Sequence, residues 1–157
     1  MSIESCANLL ISGDKEKFLA IMMASVELRK ILFPIFAFNL EMSRITWVAS
    51  DPLLADIKLT WWETEINNVF KQRFNSNHEI LFSIAEIIKY KKLPIELFLA
   101  IIEARRFDIK FVPHQSLESQ ILYINNIFGS LLELAYRGTA KEITSTAIEV
   151  VRGFGFS

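Results

Sequence analysis

Apolar positions along this chain recur at helical spacing between short polar breaks. Phe18, Ile21, Met22 and Leu28, with Ser25 among them, follow Asp14, which predicts a first helix opening near Gly13-Asp14 with Asp14 as its N-cap. Pro34 should break it, because proline lacks the backbone N–H and crowds the preceding turn, so a second segment is expected over about 35–48. Ser50-Asp51-Pro52 sets a capping side chain before proline at the first helical position. In the helix that follows, Ile57, Trp61, Ile66, Val69 and Phe70 lie near one face. Asn75-Ser76-Asn77 closes it and caps the next, over about 77–91. Pro94 opens a fifth segment that reaches about Ile109, and Val112-Pro113-His114 is a connector. Ser116 caps a sixth segment running to about Arg137, and Gly138-Thr139 divides it from a last one, about 141–152, ending at Gly153.

The pattern is all-α: about seven helices joined by short loops, in a single domain over residues 1–157. The 5 Gly and 4 Pro fall between helices as punctuation, and no internal repeat, linker or low-complexity tract interrupts them. The chain closes on Gly153-Phe154-Gly155-Phe156-Ser157, an apolar ending unlike a solvated tail. From this the chain is expected to be truncated within a structure that continues.

Composition narrows the function. A hydrophobic fraction of 52% is enough for a core, and the 17 basic and 18 acidic residues leave a net charge of −1. That balance excludes nucleic-acid binding through a broad basic surface. The densest basic run, Lys89, Lys91 and Lys92, precedes Leu93-Pro94 and reads as a cationic last turn that offsets a helix dipole. One cysteine, Cys6, excludes an internal disulfide and fits a reducing compartment; it lies in an N-terminal stretch expected to be loosely held. Acidic Glu4, with no basic residues before the first apolar stretch, is unlike a signal peptide. The longest apolar run, Ile31 to Phe38, is far short of the roughly 18 residues of a membrane span. The expectation is a cytoplasmic protein, with peripheral contact at the inner membrane as the alternative.

The chain carries few groups suited to catalysis. His78 and His114 have no second His or Cys at ligand spacing, and no Gly-x-Ser-x-Gly elbow exists. A helix that holds a hard cation needs carboxylates three or four positions apart, which share a face. None of the 18 acidic residues is so spaced; Asp51 and Asp56, like Glu103 and Asp108, are five apart. No metal ligand and no catalytic residue is assigned. Asn39, Glu41 and Arg44 interrupt an apolar segment, where Glu41 and Arg44 either pair with each other or line a polar cavity. Trp61-Trp62 places two indoles about 100° apart, so one can be core while its neighbour faces another surface. Arg105, Arg106 and Asp108 either end an exposed helix or form a buried pair beside a cavity.

The order of these segments resembles the squalene/phytoene synthase family. Ile35-Phe36-Ala37-Phe38-Asn39-Leu40-Glu41 followed by Arg44 is similar to its first motif region, where an aromatic-Ala-Phe segment leads into an aspartate-rich helix. Lys58-Leu59-Thr60-Trp61-Trp62-Glu63 resembles the family's Arg-Leu-x-Trp-Trp segment, and the stretch Ile102 to Ile109 resembles the helix ending in its Asp-Leu pair. Tyr123-x-x-Asn126-x-x-Gly129 resembles Tyr-x-x-Tyr-x-x-Gly. There are departures. Ser43 and Arg44 stand where catalytic members carry paired aspartates, Trp47 falls at the third aspartate position, and Asn126 replaces the second tyrosine. The second aspartate-rich motif belongs beyond residue 157.

The resemblance is greatest to the family's divergent branch, which includes a mitochondrial complex I assembly factor that keeps the fold without the aspartates. It implies the N-terminal part of an isoprenoid-synthase-type bundle, with Asn39, Glu41, Arg44, Arg105, Asp108, Tyr123 and Asn126 as candidate cavity-lining residues. Magnesium serves catalytic members, and its ligands are not found here. The implied function is that of a non-catalytic binding or assembly factor, or of a truncated product. The alternative is an isoprenoid-biosynthesis enzyme that condenses two prenyl diphosphates head to head. The implied partners are an isoprenoid or lipid ligand, and a protein partner or a second copy of the chain. With later helices missing, the inner faces that carry Phe36, Leu40, Ile102, Tyr123 and Ile127 are expected to stand partly uncovered.

Overall fold

The computed structural model describes residues 2–48 and 50–156. These form α1 (Ser2–Gly13), α2 (Lys15–Met22), α3 (Val26–Val48), α4 (Pro52–Phe70), α5 (Glu79–Lys91), α6 (Ile95–Ile109), α7 (Leu117–Ile124), α8 (Ser130–Thr139) and α9 (Ser145–Gly153). A π-turn, Asn125–Gly129, joins α7 to α8, and a 3₁₀ turn, Phe154–Phe156, follows α9. No strand occurs among the described residues, so the all-α reading stands.

Several starts follow the capping chemistry. Asp14 caps α2 by accepting from the Lys17 amide at 3.0 Å, Asp51 caps α4 through the Leu53 amide at 2.9 Å, and Ser116 caps α7 through the Ser119 amide at 3.1 Å. α5 begins later than expected, because His78 itself supplies the cap: its Nδ1 accepts from the Leu81 amide at 3.4 Å.

The first break is displaced. Pro34 sits inside α3 without ending it. Ile31, Phe33, Pro34, Ile35, Ala37 and Phe38 are all buried, and α3 touches α1, α2, α4, α5, α6 and α8. Packing on every side offsets a proline cost of about 3 kcal/mol. The chain turns instead at residues 23–25, where Arg29 donates from Nε to the Ala24 carbonyl (2.8 Å) and from Nη2 to the Met22 carbonyl (2.7 Å). These bonds satisfy carbonyls that the end of α2 leaves without partners.

α3 is long and apolar enough to cross a bilayer by length and composition, but 50% of its apolar window is buried within the bundle. Phe38, fully buried, meets Trp62 and Phe98 edge-on at centroid distances of 5.6 and 5.4 Å. The buried stripe of α4 is Ala55, Leu59, Trp62 and Ile66. Ile57, Trp61 and Phe70, expected on that face, are exposed. Apolar residues surround this helix, so periodicity could not choose its inward side.

The N-terminal stretch is an ordered helix. α1 packs on α3 and α5 and buries Cys6 and Leu10 in the core. Burial raises the Cys6 thiol to about 11, only partly opposed by a hydrogen bond with Ser83. Cys6 should therefore resist a thiol reagent at about pH 8 in the native state and react fully once urea unfolds the chain. A fast native reaction, followed by absorbance, would mean that α1 is detached from the core.

Gly138-Thr139 ends α8, as expected, and the chain then passes through residues 140–144 into α9. Gly138, in the last turn of α8, is buried, and a Cβ there would stand 2.5 Å from Ile31 Cγ2, so glycine lets α8 pack closely on the Ile31 side chain of α3. The apolar ending also packs: a Cβ on Gly155 would be 3.0 Å from the Gly129 amide nitrogen. Ser157 lies outside the described residues. Of the faces expected to be uncovered, Ile102 and Ile127 are buried, and Phe36, Leu40 and Tyr123 are half-buried. The exposed apolar side chains lie elsewhere, among them Met23, Trp47, Val48, Phe111, Leu117 and Phe154.

Candidate functional site

α6 ends where α3 also ends, and three of the candidate residues meet there. Arg105 and Asp108 are one helical turn apart, with Nη1 3.1 Å from Oδ2. The Tyr123 hydroxyl, arriving from α7, donates to Asp108 Oδ1 at 2.7 Å and lies 3.5 Å from Arg105 Nη1. The arginine is buried, and its Nε has no hydrogen-bond partner. Of the two readings of Arg105 and Asp108, the buried pair beside a cavity is the one realised. Burial raises the Tyr123 hydroxyl to about 12, helped by its hydrogen bond to Asp108.

The cavity they line holds about 540 Å³. Thr46 and Trp47 from α3 and Phe107 from α6 form much of its wall. Phe111, Val112 and His114 enter from the connector. His114 stacks on Phe107 with centroids 4.4 Å apart, and its Nδ1 is 3.1 Å from Ser119 Oγ. The sequence reading missed His114, Phe107 and Thr46 as wall residues. The aromatic types around the Val112-Pro113 connector were the available signal, but only the meeting of α6 with α7 turns them into a wall.

Arg106 points the other way and ties α6 to α4. It pairs with Asp56 at 2.5 Å, with Glu63, and with Glu103 at 3.2 Å. Burial works to lower its basicity, but the hydrogen bonds to Glu63 and Asp56 win and raise it.

Glu41 and Arg44 line a separate cavity of about 540 Å³ with Lys58, Trp61, Trp62 and His78, and no ion pair joins them. Trp47 and Val48, about 100° apart on the last turn of α3, each face a different cavity. Asn39 and Asn126 line neither; both are half-buried, and Asn39 Oδ1 has no hydrogen-bond partner.

In the Tyr123-to-Gly129 segment the neighbouring Asn125 is the better-connected asparagine. Its Oδ1 accepts from Arg152 Nε at 3.1 Å, and its carbonyl accepts from Nη2 at 3.2 Å. Arg152 Nη1 also reaches buried Glu133 at 2.5 Å, and Arg137 pairs with the same carboxylate at 2.7 Å. A Cβ on Gly129 would lie 2.6 Å from Asn125 Oδ1, so glycine leaves room for this network at the π-turn.

The donor set does not fit magnesium, which takes several hard oxygens. At the positions of the first aspartate motif, the Ser43 hydroxyl donates to the Leu40 carbonyl at 2.8 Å, Arg44 is exposed, and Trp47 is 85% exposed. Among the described residues no group of three His, Cys, Asp or Glu side chains could hold a metal ion.

The family model described as squalene/phytoene synthase matches residues 11–156. The NADH dehydrogenase (ubiquinone) complex I assembly factor 6 homolog of Dictyostelium discoideum is 26% identical over 126 residues, covering 80% of this chain and 35% of the relative. Complex I assembly factor 6 of Bos taurus is 22% identical, and that of Homo sapiens 21%, each over 130 residues that cover 82% of this chain and 38% of the relative. The chain therefore spans little more than a third of these relatives.

Proposed function

Because the chain belongs to the squalene/phytoene synthase family, we propose that it is a non-catalytic member that acts as an assembly factor, with a component of respiratory complex I as its protein partner. The observation that carries this reading is the state of the first motif. Ser43, Arg44 and Trp47 occupy the aspartate positions, and Arg44 would repel a divalent cation. The convergent site points the same way: Asp108, the carboxylate in the Arg105 cavity, is already bonded to both Arg105 and Tyr123. The names of the relatives supply the partner.

On this reading the protein uses no magnesium, and the head-to-head condensation of prenyl diphosphates is not its reaction. Peripheral contact with an inner membrane is part of the proposal, supported by the exposed Trp47, Val48 and Phe111 beside the two cavities.

The test has two arms. Purified protein given farnesyl diphosphate and magnesium should form no condensation product. Cells that lack the gene should lose assembled complex I on native gels, and the wild-type chain should restore it and fractionate with membranes. Magnesium-dependent product formation would revive the enzyme, and normal complex I in the deletion strain would sink the assembly reading.

A further inference from the structure

The last turns of α4 and α5 enclose a third cavity, of about 600 Å³. It lies away from the Arg105 site. Asp56, near the start of α4, is tied to the end of α6, whereas Val69 and Phe70 at the finish of α4 line this cavity, about 20 Å further along the helix. Much of its apolar wall is recessed, with Ile88 and Leu93 buried and Val69 and Phe74 half-buried, while Phe70 is exposed at its rim.

Exposed Lys89, Lys92 and Gln72 also line it. Lys71 and Arg73 flank Gln72, and Lys91 precedes Lys92, which makes five cations in two short stretches. None of the five takes part in an ion pair among the described residues.

The helix-dipole reading of the lysine run accounts for only part of this charge. The two helix C-termini carry about half a negative charge each. Glu86, exposed on α5, adds one more. With Glu65, one turn before Val69 on α4, counted as well, the five cations of these stretches leave a surplus of about two positive charges beside an apolar recess.

The backbone adds a second observation. Gln72 and Lys92 have φ of 54° and 51°, in the left-handed region where a helix end ordinarily carries glycine. Both side chains are exposed at the cavity, so burial does not explain their retention there. These helix-ending turns hold both side chains at the cavity mouth.

We propose that this end of the bundle docks an acidic segment of a partner protein, which inserts a bulky apolar side chain between α4 and α5. This names the partner's chemistry and rests on the reading of the chain as a binding factor. The shape selects the occupant. A bilayer requires a set of apolar side chains that project beyond the cations, and here four of the apolar wall residues, Val69, Phe74, Ile88 and Leu93, are buried or half-buried. A lone carboxylate or phosphate needs one or two cations, not five spread over two stretches.

The test uses purified protein and fluorescence anisotropy of a labelled twelve-residue peptide of aspartate and glutamate with a central Leu-Phe pair. Wild-type protein should bind it in about 50 mM salt and lose about tenfold in affinity at about 300 mM. Lys89→Glu/Lys92→Glu should weaken binding at least tenfold, and Ala85→Phe, which fills the recess, should weaken it without any change in charge. A peptide with serines in place of the Leu-Phe pair should bind correspondingly less. Lys15→Glu/Lys17→Glu on α2, with the same change in net charge, should leave binding unchanged.

Equal losses in the two charge variants, or equal affinity for the serine peptide, would overturn the proposal. So would anionic phosphatidylglycerol vesicles that bind through Lys89 and Lys92 when the peptide does not. Complementation of the deletion strain is scored separately, so failure of peptide binding is distinguishable from failure of the assembly reading.

Discussion

Phe38→Ala should lower the unfolding free energy by about 3–5 kcal/mol and the melting temperature by about 10 °C. Phe38 is 0% exposed and stands between Trp62 of α4 and Phe98 of α6, so truncation removes the ring that three helices share. α3 already carries Pro34 in its interior, and only packing keeps it continuous there. A hole beside that point should therefore be felt along the whole helix. Phe36→Ala, two residues away on the half-buried side, should cost much less. Urea unfolding of the two variants decides it, and equal losses would mean that Phe38 is not central to the core.

Asp108→Ala should cost about 3 kcal/mol, because it strands the charge of Arg105 in a buried position. The guanidinium would keep only the 3.5 Å contact with the Tyr123 hydroxyl, and its Nε already lacks a partner. The double change Arg105→Met/Asp108→Leu should recover most of the loss, since it removes the charge as well as its partner. If the double variant is as unstable as the single one, the site is held by shape and not by charge.

The same group of residues sets an alkaline limit. In the folded protein Tyr123 keeps its proton to about 12, against 10.0 for a free tyrosine. The unfolded chain therefore releases this proton first. The contribution of Tyr123 is whole below about pH 10 and is lost as pH rises from about 10 to about 12. Allowing for its partial exposure, the amount is about 1–2 kcal/mol. Tyr123→Phe should flatten that part of the stability-against-pH curve.

Local chemistry was legible wherever a backbone group and its partner lie close in sequence. Asp14, Asp51-Pro52 and Ser116 mark helix starts because a cap reaches only two or three residues along the chain. The all-α class, the ordered series of family segments and the missing carboxylate pair are likewise properties of spacing, and the family match over residues 11–156 agrees with the series of segments. The break at Pro34 was misplaced for the converse reason: a proline preference of a few kcal/mol is local, and burial on all sides of α3 outweighs it. The arginine that closes the earlier turn, Arg29, reaches back five and seven residues to carbonyls that no periodicity marks.

The site divides in the same way. The family resemblance placed Ser43, Arg44 and Trp47 at the aspartate positions, and spacing alone determined that Arg105 and Asp108 share a helix face, since i and i+3 are neighbours on any helix. It could not decide that Tyr123 joins them while Glu41 and Arg44 open on another cavity, nor that Trp62 faces inward and Trp61 outward. Those choices depend on which side of each helix meets a neighbour, and helices as apolar as α3 and α4 offer several sides of similar hydrophobicity. Only the summed packing of residues distant in sequence, such as Phe38 with Trp62 and Phe98, selects among them.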